Sequence, residues 1–345
     1  SHDAGRAGGR CDRQGHVVMT IGAVTATQTA VTSAGRIAFC DEGDGPAVLL
    51  LHGFPASSWQ WREFVPLLAA RFRVIAPDLL GAGASAPGEG VRLDLGTQAG
   101  AIRELMSQLH IERYAVVGHG IGAGVAQLLA LDGAGVDAMV LLSAAALDAW
   151  PSAGVMQTRA RVHQGEPTPD LVRTLVRSTI AAGAVRRERL PDEMLDAYAE
   201  PYATGDGPER FARVLDGLDG AGLSERTPEL AEIDAPVLIL WGENDTVYPA
   251  SVGERLNDAM PSSTLGLLPG CGHFLVEEAP DTIAPMISEY LRARYAHTPH
   301  GHDDAAHSGI VMLQLERRPP WVDLEEDERD DWFEPDASGE PGAVS

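Results

Sequence analysis

One stretch decides the fold: Tyr114-Ala-Val-Val-Gly118-His119-Gly120-Ile121-Gly122-Ala123-Gly124-Val125-Ala126. It begins with apolar residues that predict a short buried strand, passes through a turn of small residues, and ends in residues that favour a helix. Gly118 and Gly122 flank the turn, and Gly120 lies at its centre. A strand, a tight turn and a helix in this order are typical of the α/β class of proteins.

Outward from this stretch, short apolar runs alternate with longer segments whose apolar residues recur at helical spacing. We predict strands over 37–40, 47–51, 72–76, 114–117, 138–142, 237–241 and 264–268. We predict helices over 59–70, 97–109, 121–131, 251–260 and 280–295. Strands that alternate with helices indicate a mostly parallel sheet flanked by helices.

The predicted strands stop between 148 and 232, where helical patterns replace them, one of which opens at Pro191. We expect this segment to be a helical cap inserted into the core. The core then has two parts, over 19–147 and 233–295. An extension over 1–18 precedes it, and a tail over 296–345 follows it.

The tail combines four histidines with an acidic run. The histidines are His297, His300, His302 and His307, and residues 316–345 carry 11 acidic side chains against 3 arginines. Such a composition favours a solvated segment. No carboxylate or cysteine stands at a spacing that would complete a metal site with these histidines, so we expect no metal.

Three further segments place chemistry at the ends of predicted strands. His52-Gly53-Phe54-Pro55 follows the strand over 47–51, and the glycine permits a sharp turn that leaves the N–H of Phe54 pointing into a cleft. Asp245 follows the strand over 237–241, and His273 follows the strand over 264–268. An acid and a histidine in this order suit the orientation of an imidazole by a carboxylate.

Residues 36–294 resemble an α/β-hydrolase-fold protein with a helical cap, because the glycine turn, the acid and the histidine occur in that fold's order. The His-Gly-Phe-Pro stretch and the Gly-His-x-Ile-Gly turn are similar to the epoxide hydrolase and haloalkane dehalogenase branch. The resemblance implies that the N–H groups of Phe54 and Ile121 form an oxyanion hole. It further implies that Asp245 orients His273, which is the general base.

The chain departs from this pattern at the nucleophile. The branch carries Asp at the centre of the turn and esterase relatives carry Ser, whereas Gly120 has no side chain that attacks a substrate. Dehalogenases also need halide-binding donors, and this chain has Phe54 and Ile121 at two positions where such donors often stand, so dehalogenation is disfavoured. Cys271 lies on the same loop as His273 and is not expected to replace the missing side chain.

Six side chains are substrate-binding candidates. Tyr198 and Tyr202 match the two cap tyrosines that donate to the epoxide oxygen in epoxide hydrolases, although packing of a cap helix also explains them. Trp59 and Trp150 are expected either to line the same pocket or to pack in the core. His52 and His119 flank the expected site, and His119 also fits a structural neighbour of the turn.

Four hypotheses account for a glycine at the centre of the turn. The preferred one is an enzyme without a covalent intermediate, in which His273 and the two amides support cyclisation, isomerisation, elimination or activation of water. The alternatives are an epoxide hydrolase or esterase whose nucleophile was deliberately removed and a ligand-binding pseudoenzyme. A dinucleotide-binding enzyme is disfavoured, because Ser143 stands where an acid is expected after the next strand.

Composition excludes several other classes. The 345 residues carry a formal charge of −24, which makes nucleic acid an unlikely partner. No apolar run reaches the roughly 20 residues of a membrane span, and three unpaired cysteines favour a reducing cytoplasm. We therefore predict a cytoplasmic, cofactor-independent enzyme of secondary metabolism that acts on a small apolar molecule, with a homodimer as a possible assembly.

Overall fold

The computed structural model describes residues 26–295 and two short paired strands, β1 (Arg10–Cys11) and β2 (Val17–Val18). The rest of the predicted extension and the whole predicted tail, with its four histidines, lie outside the described residues. Among residues 26–295, every helix is too short or too polar to traverse a bilayer.

Within residues 26–295, one sheet has the strand order β11-β10-β9-β8-β5-β6-β4-β3, with β7 paired to β4. Its strands are β3 (Gln28–Thr32), β4 (Gly35–Glu42), β5 (Ala47–Leu51), β6 (Arg73–Pro77), β7 (Ala86–Pro87), β8 (Tyr114–His119), β9 (Val136–Leu142), β10 (Val237–Gly242) and β11 (Ser263–Leu268). The neighbouring strands β11, β10, β9, β8, β5 and β6 pair in parallel. The pairs that involve β3, β4 or β7 are antiparallel. The predicted mostly parallel sheet is therefore confirmed.

Helices cover both faces of the sheet. They are α1 (Phe64–Leu68), α2 (Leu95–Gln108), α3 (Ile121–Leu131), α4 (Ala153–Val162), α5 (Pro169–Gly183), α6 (Asp192–Ala199), α7 (Gly207–Gly217), α8 (Ala250–Ala259), α9 (Leu275–Glu278) and α10 (Pro280–Tyr295). The prediction of one helix over 59–70 is wrong, because a 3₁₀ turn (Ser58–Trp61) precedes a five-residue α1. Pro66 has no N–H to donate back to Arg62, so a continuous helix would lose a hydrogen bond there.

Alternate residues of the central strands enter two separate apolar clusters. Leu49 and Leu51 of β5 belong to one cluster, while Val48 and Leu50 belong to the other. Successive side chains of a strand point to opposite faces, so the sheet is buried on both sides. This burial fixes where each strand ends and therefore where the following loops meet.

The segment 148–232 between β9 and β10 contains α4 to α7 and the 3₁₀ helices Arg187–Arg189 and Ser224–Glu232. We call this segment the helical insertion. It contacts the loops at the carboxyl ends of the strands, as when the ring of Phe211 stacks on that of Phe54 at 5.4 Å between centroids. The loop at the carboxyl end of β5 therefore packs against α7 of the helical insertion.

Candidate active site

The turn between β8 and α3 has a backbone that three glycines make possible. A Cβ added to Gly118 would lie 2.6 Å from the backbone N of Ala123, and one added to Gly122 would lie 2.3 Å from the carbonyl O of Leu51. Both distances are too short for a real side chain. Gly120 has φ +52° and ψ −116°, a conformation that L residues rarely adopt.

Gly120 differs from the other two glycines because there is room beside it. A Cβ added there would lie 3.5 Å from Nε2 of His273 and 3.7 Å from Cα of Gly53, which are ordinary van der Waals distances. The position that a side chain of residue 120 would take therefore faces the imidazole. Because residue 120 is glycine, no side chain of its own occupies that position.

His273 is paired with Asp245 on the side of its ring away from Gly120. Its Nδ1 lies 2.9 Å from Oδ2 of Asp245, while Oδ1 of Asp245 accepts the N–H groups of Val247 at 2.7 Å and Tyr248 at 2.9 Å. Burial raises the pKa of the Asp245 carboxyl, but His273 and the two N–H groups outweigh burial and hold that pKa below its ordinary value. An ionised Asp245 accepts the proton on Nδ1, which leaves Nε2 of His273 facing Gly120.

The loop that carries His273 is fixed by the helical insertion. The N–H of His273 donates to the carbonyl of Gly183 at 2.7 Å, at the end of α5. The carboxylate of Glu278 accepts the N–H groups of Gly272, Val185 and Arg186, which joins the same loop to the residues that follow α5. The orientation of His273 therefore depends on both the core and the insertion.

Two backbone N–H groups belong to residues next to those that flank this space: Phe54 follows Gly53, and Ile121 follows Gly120. Within residues 26–295, neither the N–H of Phe54 nor that of Ile121 has a hydrogen-bond acceptor. Ile121 is the first residue of the eleven-residue α3, whose N-terminus carries a partial positive charge. An oxygen that gains negative charge close to this N-terminus would be stabilised by it.

Residues 46–280 match the sequence pattern of the family described as alpha/beta hydrolase fold. The chain belongs to this family. It is similar to haloalkane dehalogenase 2 of Mycobacterium tuberculosis, with 30% identity over 75% of this chain and 92% of that protein.

This α/β-hydrolase-fold protein is also similar to a second curated protein and to a solved structure. The magnesium-chelatase 30 kDa subunit of Rhodobacter capsulatus is 33% identical over 72% of this chain and 87% of that protein. A crystal structure of an alpha/beta hydrolase fold protein from Burkholderia ambifaria superimposes with a TM-score of 0.69 and 29% identity, over 77% of this chain and 98% of that chain. The printed names of these relatives differ from one another.

His119 precedes Gly120, and both of its ring nitrogens are occupied. Its Nδ1 lies 3.0 Å from Nε2 of Gln60, and its Nε2 lies 2.9 Å from the carbonyl O of His273. Burial, reinforced by the neighbouring His273, lowers the pKa of His119 to about 3. These contacts favour the structural role that the sequence also offers for His119, and its contact with substrate stays a prediction.

His52 also has a structural environment. Its Nε2 accepts the N–H of Leu79 at 2.9 Å, and its Nδ1 lies 2.8 Å from the carbonyl O of Gly53. Burial lowers the pKa of His52, against the opposing effect of Asp78, so the ring is neutral and donates to that carbonyl through Nδ1. Both ring nitrogens of His52 therefore face the backbone, and its contact with substrate stays a prediction.

The two candidate tyrosines of the helical insertion donate to protein atoms. The hydroxyl of Tyr198 donates to Oε1 of Glu277, and that of Tyr202 donates to the carbonyl of Ala56 at 3.2 Å. Both side chains are buried. In this structure both hydroxyls therefore face protein acceptors, and their role as donors to an epoxide oxygen stays a prediction.

The two candidate tryptophans have different surroundings. Trp59 is half-buried between the ring of Tyr198, 5.0 Å away between centroids, and the guanidinium of Arg62, 4.0 Å above its ring. These contacts indicate a packing role for Trp59. Trp150 is buried, and within residues 26–295 its Nε1–H has no acceptor, so it stays a candidate for substrate contact.

Three residues of this region are not predicted from the sequence: Gln60, Arg62 and Glu277. Arg62 donates to both carboxylate oxygens of Glu277, at 2.9 and 2.5 Å, and the pair is almost fully buried. The sequence shows only that these residues lie near the expected site, because Glu277 is four residues after His273 and Arg62 follows the loop of Phe54. Such spacing does not reveal the pairing without coordinates.

Cys40 and Cys271, the two cysteines within residues 26–295, are both buried and are not expected to supply a nucleophile. Burial raises the pKa of Cys271 above its ordinary value and raises that of Cys40 to about 11, so both are neutral thiols. Among residues 26–295, no group of histidine, cysteine and acidic side chains is arranged to hold a metal ion.

Proposed function

We propose that this α/β-hydrolase-fold protein is an enzyme that performs acid/base chemistry without a covalent intermediate. His273 exchanges the proton, Asp245 orients the imidazole, and the N–H groups of Phe54 and Ile121 stabilise a developing negative charge. The observation that carries the proposal is the space beside Gly120. It faces Nε2 of His273 at 3.5 Å, and no side chain of residue 120 is present to attack a substrate.

The same reaction scheme covers several outcomes. Nε2 of His273 removes a proton next to a substrate carbonyl, and the resulting enolate oxygen accepts from the two amides. Asp245 remains ionised and stabilises the imidazolium that forms. Return of the proton to another atom completes an isomerisation, and attack of the enolate or loss of a leaving group completes a cyclisation or an elimination. Direct activation of water by His273 uses the same geometry.

The substrate that suits this site is small and largely apolar. Phe54, which supplies one of the amides, stacks on Phe211 of the helical insertion, and Ile121, which supplies the other, is buried. General acid/base catalysis contributes roughly 10²- to 10⁴-fold. Such a gain is sufficient for a substrate that already reacts slowly in water, such as an activated intermediate of secondary metabolism.

The test compares the wild-type protein with His273→Ala on a panel of enolisable ketones, lactones and epoxides. We expect turnover by the wild type, a loss of roughly 10²- to 10⁴-fold in His273→Ala, and no covalent adduct in intact-protein mass spectra. An adduct on the wild-type chain would overturn the noncovalent mechanism. Equal rates in the two proteins would overturn the role of His273.

One alternative has an observation of its own. The backbone of Gly120 and the room beside it suit a nucleophile position, which supports the alternative of an epoxide hydrolase or esterase whose nucleophile was deliberately removed. In that case Gly120→Ser or Gly120→Asp creates an esterase or an epoxide hydrolase. A ligand-binding protein without activity is the remaining alternative, and it predicts tight binding of a compound that neither the wild type nor His273→Ala converts.

A further inference from the structure

Gln60 and His119 join the loop of the proposed oxyanion donors to the loop of the proposed base. The N–H of Gly53 donates to Oε1 of Gln60 at 3.0 Å, and Nε2 of Gln60 lies 3.0 Å from Nδ1 of His119. Nε2 of His119 lies 2.9 Å from the carbonyl O of His273. We call these four residues the hydrogen-bond chain.

The chemistry of its two ends fixes the direction of every hydrogen bond in the chain. A backbone N–H only donates, so the atom of Gln60 that faces Gly53 is the amide oxygen. The amide nitrogen of Gln60 then donates to Nδ1 of His119, which has a lone pair there. A carbonyl only accepts, so Nε2 of His119 carries the proton and donates to His273. His119 is therefore a neutral imidazole with a single allowed tautomer.

We infer that Gln60 and His119 are positioning residues that hold the Phe54 amide and the His273 imidazole at a fixed separation. The inference rests on the proposed acid/base function of His273. Gly53 precedes Phe54 and contacts His119 so closely that an added Cβ would lie 2.4 Å from Nδ1 of His119. The side chain of His119 thus contacts the loop of Phe54 and forms a hydrogen bond with the loop of His273.

The absence of a side chain at Gly120 increases the importance of this contact. A serine or aspartate at that position would approach Nε2 of His273 and restrain the ring from that side. In this protein, Asp245 restrains Nδ1 of His273, and His119 restrains the backbone carbonyl of His273. The ring of His119 lies 4.9 Å from that of His273 between centroids.

A neutral His119 is also what the proposed reaction requires. The titratable groups close to it are His273, Asp245 and His52. When His273 takes a proton, a second positive charge on His119 would oppose it across a buried contact. The tautomer set by Gln60 prevents that charge from forming.

The test is nitrogen NMR of the histidine side chains in the full-length protein, which requires no substrate. In the wild type we expect His119 to show a protonated Nε2 and an unprotonated Nδ1, unchanged from pH 5 to 8. A Gln60→Glu variant replaces the amide donor with a carboxylate, so we expect a proton on Nδ1 of His119 and an imidazolium over the same range. A wild-type His119 that titrates near 6.5, or that carries its proton on Nδ1, would overturn the inference.

Gln98→Glu is the matched control, because Gln98 is equally buried and uses its amide to bond both backbone groups of Leu80 instead of His119. It should leave the His119 signals unchanged, and a change equal to that of Gln60→Glu would contradict the inference. Where Gln60→Glu does not fold, the wild-type tautomer still decides the question.

Turnover separates this inference from the proposed function. Gln60→Glu should lower the wild-type rate on the order of a hundredfold through misplacement of the base, with a shifted pH profile. If the expected NMR states are seen but His273→Ala has full activity, the hydrogen-bond chain is confirmed and the proposed acid/base function is wrong. If His273→Ala is inactive but wild-type His119 titrates normally, the positioning role fails alone.

Discussion

Arg62 and Glu277 form a buried bidentate ion pair that connects the segment after β5 to the segment after His273. The hydroxyl of Tyr198 in the helical insertion donates to the same carboxylate. Glu277 therefore accepts from two separate parts of the chain and links the insertion to the core.

We expect Glu277→Ala to be severely destabilising, because it leaves the Arg62 guanidinium buried without its partner. Removing one member of a buried pair typically costs about 3–5 kcal/mol. Denaturant unfolding measures the change. Glu289→Ala is the matched control, since the Glu289–Arg292 pair is exposed and such pairs contribute about 0–1 kcal/mol. Equal losses in the two variants would contradict the role of the buried pair.

The stability of the protein should fall as the pH decreases below 6.5. The pKa of His119 is about 3 in the folded state, and an unfolded histidine has a pKa of about 6.5. Between these pH values His119 binds a proton in the unfolded chain but not in the folded one. The contribution of His119 to the free energy of unfolding is therefore complete above pH 6.5 and is lost towards pH 3. Buried His52 acts in the same direction.

The measurement is the unfolding free energy from pH 7 to pH 4 in the wild type and in His119→Gln. Each such histidine contributes a slope of up to about 1.4 kcal/mol per pH unit in this window. We expect the variant to be less stable at pH 7 and to have a shallower slope. Identical slopes would mean that His119 titrates normally in the folded protein.

A serine at residue 120 should act as a nucleophile. The added Cβ has room beside His273, and the strained φ of this position costs of the order of 1–3 kcal/mol, which the surrounding glycine turn tolerates. We expect Gly120→Ser to form a covalent adduct with an aryl ester or an organophosphate in mass spectra. The double variant with His273→Ala should react roughly 10²- to 10⁴-fold more slowly.

Gly122→Ser is the control for this substitution. Its Cβ would lie 2.3 Å from the carbonyl O of Leu51, so this variant should unfold or misfold without gaining reactivity. A soluble, reactive Gly122→Ser protein would show that the turn does not have the geometry described.

Gly53→Ala should damage the site more than its single methyl group suggests. The added Cβ would lie 2.4 Å from Nδ1 of His119, so either the loop of Phe54 or the imidazole must move. We expect a loss of turnover on the order of a hundredfold together with reduced thermal stability. Gly100→Ala, where no atom lies within 4 Å in the middle of α2, should leave turnover unchanged and stabilise by about 0.5–1 kcal/mol.

The sequence allowed prediction of the parts of the site that depend on chain order. Asp245 and His273 follow β10 and β11, and parallel strands bring their carboxyl ends to one edge of the sheet. The family and the mostly parallel sheet were predicted for the same reason. Neither β3 nor β7 is predicted, because an antiparallel strand at the edge of the sheet needs no continuous apolar run.

The hydrogen-bond partners could not be predicted from the sequence. Tyr198 donates to Glu277 across 79 positions of the chain, and Gln60 meets His119 across 59. A polar residue next to an expected site has the same sequence signature whether it faces a ligand or a protein atom. This ambiguity explains why His52, His119 and both tyrosines were assigned to substrate.

The turn around residue 120 takes its shape from Gly118 and Gly122 and from the backbone of residue 120, and none of these depends on an attacking atom. Gain and loss of a nucleophile are therefore separable from folding in this scaffold. A single substitution at residue 120 would add an attacking side chain without a new loop or a new strand. Mutational drift at this one position would leave the architecture intact while it changes the reaction that selection can act upon.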